Sequence, residues 1–138
     1  MFRKIDDSIS VAAQIGVDDV AEAARAGFTM IINNRPDQEE PGQPSGESIR
    51  EAARAAGLAY VAIPITPGGF SAAQIDAMGK ALGAAEGPVL AFCRSGTRST
   101  FCWALAKGST GSDPDELAAK AASAGYDISP IKPLLSGL

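Results

Sequence analysis

Four short apolar runs, separated by alanine-rich stretches with helical spacing, decide what this chain can fold into. The runs are Ile9–Ala13, Phe28–Asn33, Leu58–Ile65 and Val89–Phe92. Phe28–Asn33 and Val89–Phe92 are continuously apolar, as strands are when both faces are buried. Between the runs, Val17–Ala26 carries Val17, Val20, Ala21 and Ala24 at helical spacing and stops at Gly27. Ser45 caps a second helix that runs to Ala56, before Gly57. Ser71 with Gln74 forms a capping box for a third, with an apolar stripe of Ile75, Met78 and Leu82 and a break at Gly87-Pro88. A helix through Lys107 follows the last run. Asp113-Pro114-Asp115-Glu116 has the cap, the proline and the acid of another helix start, with an end near Ala124. The tail 127–138 holds two prolines and room for one short helical turn. The order β-α-β-α-β-α-β-loop-α-α predicts an α/β fold: a single domain over residues 1–138, with a mostly parallel sheet of four or five strands and helices on both faces.

Composition narrows the chemistry. At 138 residues and roughly 150 per domain, one domain is expected, large enough to bury about two-thirds of its unfolded surface. There is no histidine, so a Ser-His-Asp triad, a Cys-His pair and His-rich zinc sites are all excluded. Two cysteines, Cys93 and Cys102, are too few for a Cys-only zinc site or a disulfide framework. With 12 basic and 16 acidic residues the net charge is −4, which argues against nucleic acid as a partner. MFRKIDDSIS does not read as a signal peptide, and no apolar stretch approaches the roughly 18 residues of a membrane span. The expectation is a cytoplasmic protein with free thiols and no membrane contact.

The candidate site is Cys93-Arg94-Ser95-Gly96-Thr97-Arg98-Ser99, between a buried strand and a helix. A loop closed there would aim its N–H groups at one spot, and the helix would add the positive end of its dipole. Gly96 allows a backbone conformation that a side chain would penalise. The guanidinium of Arg98 can fork onto an oxyanion. Such surroundings favour thiolate over thiol at Cys93 and need no histidine. Arg94 adds attraction at the rim, Ser95 and Thr97 line the loop, and Ser99 is placed to hydrogen-bond the thiolate. Arg35, just past the carboxyl end of a predicted buried strand, borders the same crevice as a substrate-side or loop-anchoring residue.

Cys102 reads as core rather than as a resolving thiol, and Trp103 as core or domain edge. Asp37, Glu39 and Glu40 sit in a long acidic loop, 34–46, and read as solvated acids rather than as a metal site. Gly68-Gly69 reads as a turn. No metal and no cofactor are implied.

CRSGTRS resembles the active-site loop of rhodanese-type sulfurtransferases, Cys-Arg-x-Gly-x-Arg or Thr. It is also similar to the signature of cysteine-dependent protein phosphatases, but one residue shorter. Over roughly residues 5–110 the chain resembles the phosphatase-like domain of beta-lactamase-hydrolase-like proteins, through VAAQI, INNRPDQEEPGQPS, AYVAIPI and PVLAFCRSGTRSTFCWAL. That resemblance implies the cysteine-phosphatase fold and includes Arg35. Members are described both as phosphatase-like and as sulfur transferases, and some continue into a metallo-beta-lactamase-like domain.

Two features order the chemistries. A six-residue cradle is sized for one extra sulfur on Cys93, whereas the phosphatase loop of seven holds a phosphoryl group. Phosphatases of this fold place an Asp after the preceding strand, where Ile63-Pro64-Ile65-Thr66-Pro67-Gly68-Gly69 has none. Asp37 or Asp76 would have to be recruited. The expectation is therefore a sulfurtransferase that carries a persulfide on Cys93. The alternative is a phosphatase acting through a phosphocysteine, and the third reading is an anion-binding module without turnover. Partners are a small anionic substrate (thiosulfate, a persulfide or a phosphate ester) and, for sulfur transfer, an acceptor protein.

Overall fold

The structure is a computed structural model and describes residues 2–136. Five strands form one sheet: β1 (Arg3–Asp6), β2 (Ile9–Ala12), β3 (Met30–Asn33), β4 (Ala59–Ala62) and β5 (Val89–Phe92), in the spatial order β1-β2-β5-β3-β4. β2, β5, β3 and β4 run parallel, as alternating strands and helices require. β1 is antiparallel to β2. This strand is absent from the sequence reading because RKID is mostly charged and presents only Ile5 to the core. Charged residues along an exposed edge also discourage a further strand from pairing there.

The registers line up. Ala12, Phe92, Asn33 and Ala62 end their strands side by side. Whatever follows them in sequence (Gln14, Cys93, Asn34-Arg35, Ile63–Ile65) emerges along one edge of the sheet. That edge is where open parallel sheets place their ligands.

Helices cover both faces: α1 (Val17–Arg25) and α2 (Gly46–Ala55) pack on one, α3 (Ala72–Ala84), α4 (Thr97–Ser109), α5 (Pro114–Ser123) and α6 (Lys132–Ser136) on the other. A 3₁₀ turn, Ser129–Ile131, leads into α6. The caps are those the sequence signals. Ser45 accepts from the Ser48 N–H, Ser71 and Gln74 form a reciprocal box, and Asp113 accepts from the Glu116 N–H beside Pro114. Apolar positions alternate across the sheet, so Ile31 enters the core under α1 and α2 while Ile32 enters the one under α3 to α6. Trp103 is fully buried in the second core. Among the described residues no helix is long and apolar enough to cross a membrane.

Both cores carry the fold, which chemical denaturation tests. Ile31→Ala and Ile32→Ala each lower the unfolding free energy by about 3 kcal/mol. Val17→Ala, on an exposed side chain, stays within about 0.5 kcal/mol of the parent.

Candidate active site

Cys93 is the first residue beyond β5, and its N–H donates to the Ala12 carbonyl of the neighbouring strand (3.3 Å). Chain direction then reverses over three residues into α4. The reversal is possible because Gly96, the N-cap of α4, takes φ +90°, a region that side chains disfavour. The Gly96 N–H donates to Cys93 Sγ at 3.1 Å. The loop therefore closes round the sulfur as its sequence suggests, and α4 begins directly above it with the positive end of its dipole.

Arg98 turns inward. Its Nη1 donates to the Ile65 carbonyl (2.6 Å) and to Glu39 Oε2 (2.8 Å), and its Nη2 donates to Glu39 Oε1 (2.8 Å). Its pKa is raised, first by hydrogen bonding to Glu39 and then, against the effect of burial, by the nearby Cys93 sulfur. The guanidinium is thus tied to a carboxylate and a backbone carbonyl at the end of the loop that starts at Cys93. Glu39 holds it in the two-point manner in which a phosphate or sulfate would.

Glu39 corrects the reading of the acidic loop. It is not solvated: its side chain is 17% exposed, and it bridges Arg98 to Arg35, whose Nε donates at 2.8 Å. Arg35 is 1% exposed and spends its other nitrogens on Gln14 Oε1 (3.1 Å) and Glu40 Oε1 (3.0 Å). It is an anchor of the acidic loop and borders the nucleophile's crevice only through Glu39. Glu40 also lies 3.7 Å from Arg94, which is two-thirds exposed at the rim as expected. Gln38 adopts φ +62°, a left-handed turn that costs roughly 1 kcal/mol, where the chain swings Glu39 and Glu40 toward the arginines.

Other placements differ from expectation. Cys93, although it stands at the open edge of the sheet, is fully buried. Its Sγ accepts from the Gly96 N–H, and Arg98 of the same loop turns to Glu39 and the Ile65 carbonyl. Ser99 is fully buried, and its Oγ has no hydrogen-bond partner, so the expected bond to the sulfur is not made. Ser95 Oγ bonds Thr97 Oγ1 (3.0 Å) at the exposed rim. Neither candidate acid reaches the sulfur's hydrogen bonds: Asp37 accepts from the Gly46 N–H, and Asp76 pairs with Lys80 at the surface. Burial pushes the Cys102 thiol up to about 12, which fits a core side chain and not a resolving thiol. A hollow of 390 Å³ lined by Asp7, Ser8, Leu82, Pro88 and Lys107 lies at the opposite end of β5 from Cys93.

Sequence reasoning missed two participants, Glu39 and Tyr126. Glu39 stands four residues after Arg35, the one local sign of its pairing. Tyr126, just beyond α5, donates its hydroxyl to the Ser95 carbonyl (3.0 Å) and has no sequence signal that ties it to the loop.

The ion cluster sets an acid limit. Hydrogen bonding to Arg98, aided by Arg35, holds the Glu39 carboxyl at about 2, below its ordinary 4.5. A depressed folded-state pKa contributes stability above the ordinary value, and that contribution is lost as pH falls from about 4.5 toward 2. Thermal melts across that window should show the loss in the parent and a flatter profile in Glu39→Gln. At neutral pH the variant is less stable by about 3 kcal/mol, because two buried guanidiniums lose their shared anion.

Comparison with known proteins agrees with this geometry. Residues 1–110 match the family model described as beta-lactamase hydrolase-like protein, phosphatase-like domain. A beta-lactamase hydrolase-like protein of Xylella fastidiosa is 38% identical over 125 residues, 90% of this chain but 29% of that protein, so the chain spans under a third of its curated relative. A Neisseria meningitidis protein described as a candidate phosphatase has a crystal structure that superposes with TM-score 0.86 at 30% identity, over 99% of this chain and 96% of that one. Human DUSP28 shares the fold alone, with TM-score 0.69 at 19% identity over 99% and 92% of the two chains. A cysteine-phosphatase sheet, a cysteine-to-arginine loop at its carboxyl edge and a match over most of the length leave one assignment: the chain belongs to the phosphatase-like domain family of beta-lactamase hydrolase-like proteins.

Proposed function

We propose that the site hydrolyses phosphate esters through a covalent phosphocysteine, which reverses the order in which loop size and the missing Asp ranked the two chemistries. The observation that carries the reading is the Gly96 N–H on Cys93 Sγ, in a loop that runs from Cys93 to the inward-turned Arg98. A thiolate in that position attacks phosphorus as the ester P–O bond breaks. The loop N–H groups and Arg98 take the charge on the non-bridging oxygens. Water then attacks the phosphocysteine, the S–P bond breaks, and phosphate leaves with the thiolate restored. The family description and the phosphatase folds among its neighbours support this reading. Arg94, Ser95, Gly96 and Thr97 form the wall of the substrate site, Ser99 lies buried behind it, and Arg35 acts through Glu39.

The leaving oxygen needs a proton or must leave without one. Glu39 is the carboxylate nearest to Arg98 and is ionised at neutral pH, so it is no proton donor. Asp37 and Asp76 are engaged elsewhere. The substrates that suit such a site are esters of acidic alcohols, aryl phosphates above all. The anion also has to share or displace the Glu39 carboxylate on Arg98.

A second reading, sulfur transfer, rests on one observation: only four residues separate Cys93 from Arg98. There Cys93 takes the outer sulfur of thiosulfate as a persulfide and releases sulfite.

Kinetics separate these readings. An aryl phosphate with an acidic phenol should turn over on the order of 100-fold faster than phenyl phosphate, a spread that a positioned general acid would compress. Cys93→Ser should abolish turnover, and Arg98→Lys should lower kcat/KM on the order of 100-fold through loss of the forked contact. Thiocyanate formed from thiosulfate and cyanide, with a persulfide on Cys93 by mass spectrometry and no ester hydrolysis, would install sulfur transfer instead. Tight sulfate binding with neither turnover would leave an anion-binding module.

A further inference from the structure

We propose that Tyr126 is a positioning residue for the nucleophile: its hydroxyl fixes the Ser95–Gly96 peptide in the orientation that points the Gly96 N–H at Cys93 Sγ. The inference rests on Cys93 being the nucleophile, and it holds for phosphoryl or sulfur transfer alike.

The argument starts from one peptide unit. Its carbonyl, on Ser95, accepts from the Tyr126 hydroxyl at 3.0 Å, and its N–H, on Gly96, donates to Cys93 Sγ at 3.1 Å. In a trans peptide these two groups point to opposite edges of one plane. Fixing the carbonyl on one side therefore fixes the N–H on the other. Glycine does not fix it unaided, because Gly96 lacks the Cβ that would restrict its rotation. Turning the plane over would aim the carbonyl oxygen at the sulfur and repel a thiolate. A hydrogen bond accepted by the carbonyl also polarises the unit and strengthens the N–H as a donor.

Tyr126 is itself held on three sides. The end of α5 is closed by the Tyr126 N–H on the Ala121 carbonyl (2.9 Å) and the Gly125 N–H on the Ala122 carbonyl (3.0 Å), with Gly125 at φ +93°. This paired closure sets the direction in which the chain leaves the helix. The Arg3 guanidinium, from β1, lies 5.6 Å from the centre of the tyrosine ring and donates to the Ala124 carbonyl. The third side is the loop: a Cβ on Gly96 would fall 2.9 Å from Tyr126 Cζ and closer still to the hydroxyl. The ring thus occupies the space beside Gly96. Burial and the neighbouring Cys93 raise the phenol's pKa against the effect of Arg3, so it remains a donor at neutral pH.

The charged groups round the sulfur are Arg98 at the start of α4, Arg94 at the rim, Glu39 of the acidic loop behind Arg98, and Arg3 behind Tyr126. Tyr126→Phe keeps every one of these charges and the ring. The readout is the thiolate absorbance of Cys93 in the ultraviolet, taken as the difference from the matching Cys93→Ser protein across a pH series. Cys93 carboxamidomethylation by iodoacetamide, located by mass spectrometry, is followed in parallel. The expected result is a roughly threefold or greater fall in both the thiolate absorbance and the alkylation rate near neutral pH. Arg3→Leu keeps the hydroxyl; it should lower the melting temperature with a smaller change in thiolate fraction. Identical thiolate curves for Tyr126→Phe and the parent would overturn the proposal. Aryl phosphate turnover is measured on the same samples. Lower thiolate without any turnover in the parent leaves Tyr126 in its role and removes the phosphatase reading; turnover with identical thiolate curves does the reverse.

Discussion

A buried guanidinium at the end of β3 organises the whole carboxyl edge of the sheet. Arg35 is 1% exposed, and a cation so far from water is tolerable only with its donors filled by anions or strong acceptors. The acidic loop after it supplies Glu39 and Glu40, and β2's exit supplies Gln14. Glu39 reaches Arg98 as well, so the same carboxylate holds that second guanidinium at this edge. The long loop between β3 and α2 is thus the counter-ion of the site. Its glycines and prolines allow the course, but the charge determines where it ends.

The parts of the molecule legible in the sequence are those with a periodic or local signal. The four parallel strands, the caps at Ser45, Ser71 and Asp113, and the Cys93–Arg98 loop all have one, and all stand where that signal puts them. The features that escaped depend on tertiary contacts. β1 is a charged edge strand whose pairing is dictated by β2 and not by its own residues. Glu39 looks like any surface acid until Arg35 is known to be buried. Tyr126 meets Ser95 across 31 residues, through the way α5 ends. The sulfur's burial could not be read either, since it depends on how the loop closes round it. The ranking of chemistries rested on equally local features, the count of residues between Cys93 and Arg98 and the missing Asp after β4, whereas the family description and the phosphatase folds favour the alternative.

Phosphoryl and sulfur transfer share their first requirement, a thiolate held under N–H groups with a cation beside it. They part at the leaving group. An alkoxide needs a proton in the transition state, while sulfite or an acidic phenolate does not. In this protein the carboxylate nearest the reacting centre has been committed to two arginines, and that commitment keeps it ionised well below neutral pH. The same interaction that aims Arg98 therefore removes Glu39 as an acid. A site built this way stabilises charge on the transferred group and leaves the departing group to its own acidity. On the proposed phosphatase reading, selectivity then falls on the substrate's leaving group more than on its shape, which is the consequence of using one carboxylate to bury a cation and orient its neighbour at once.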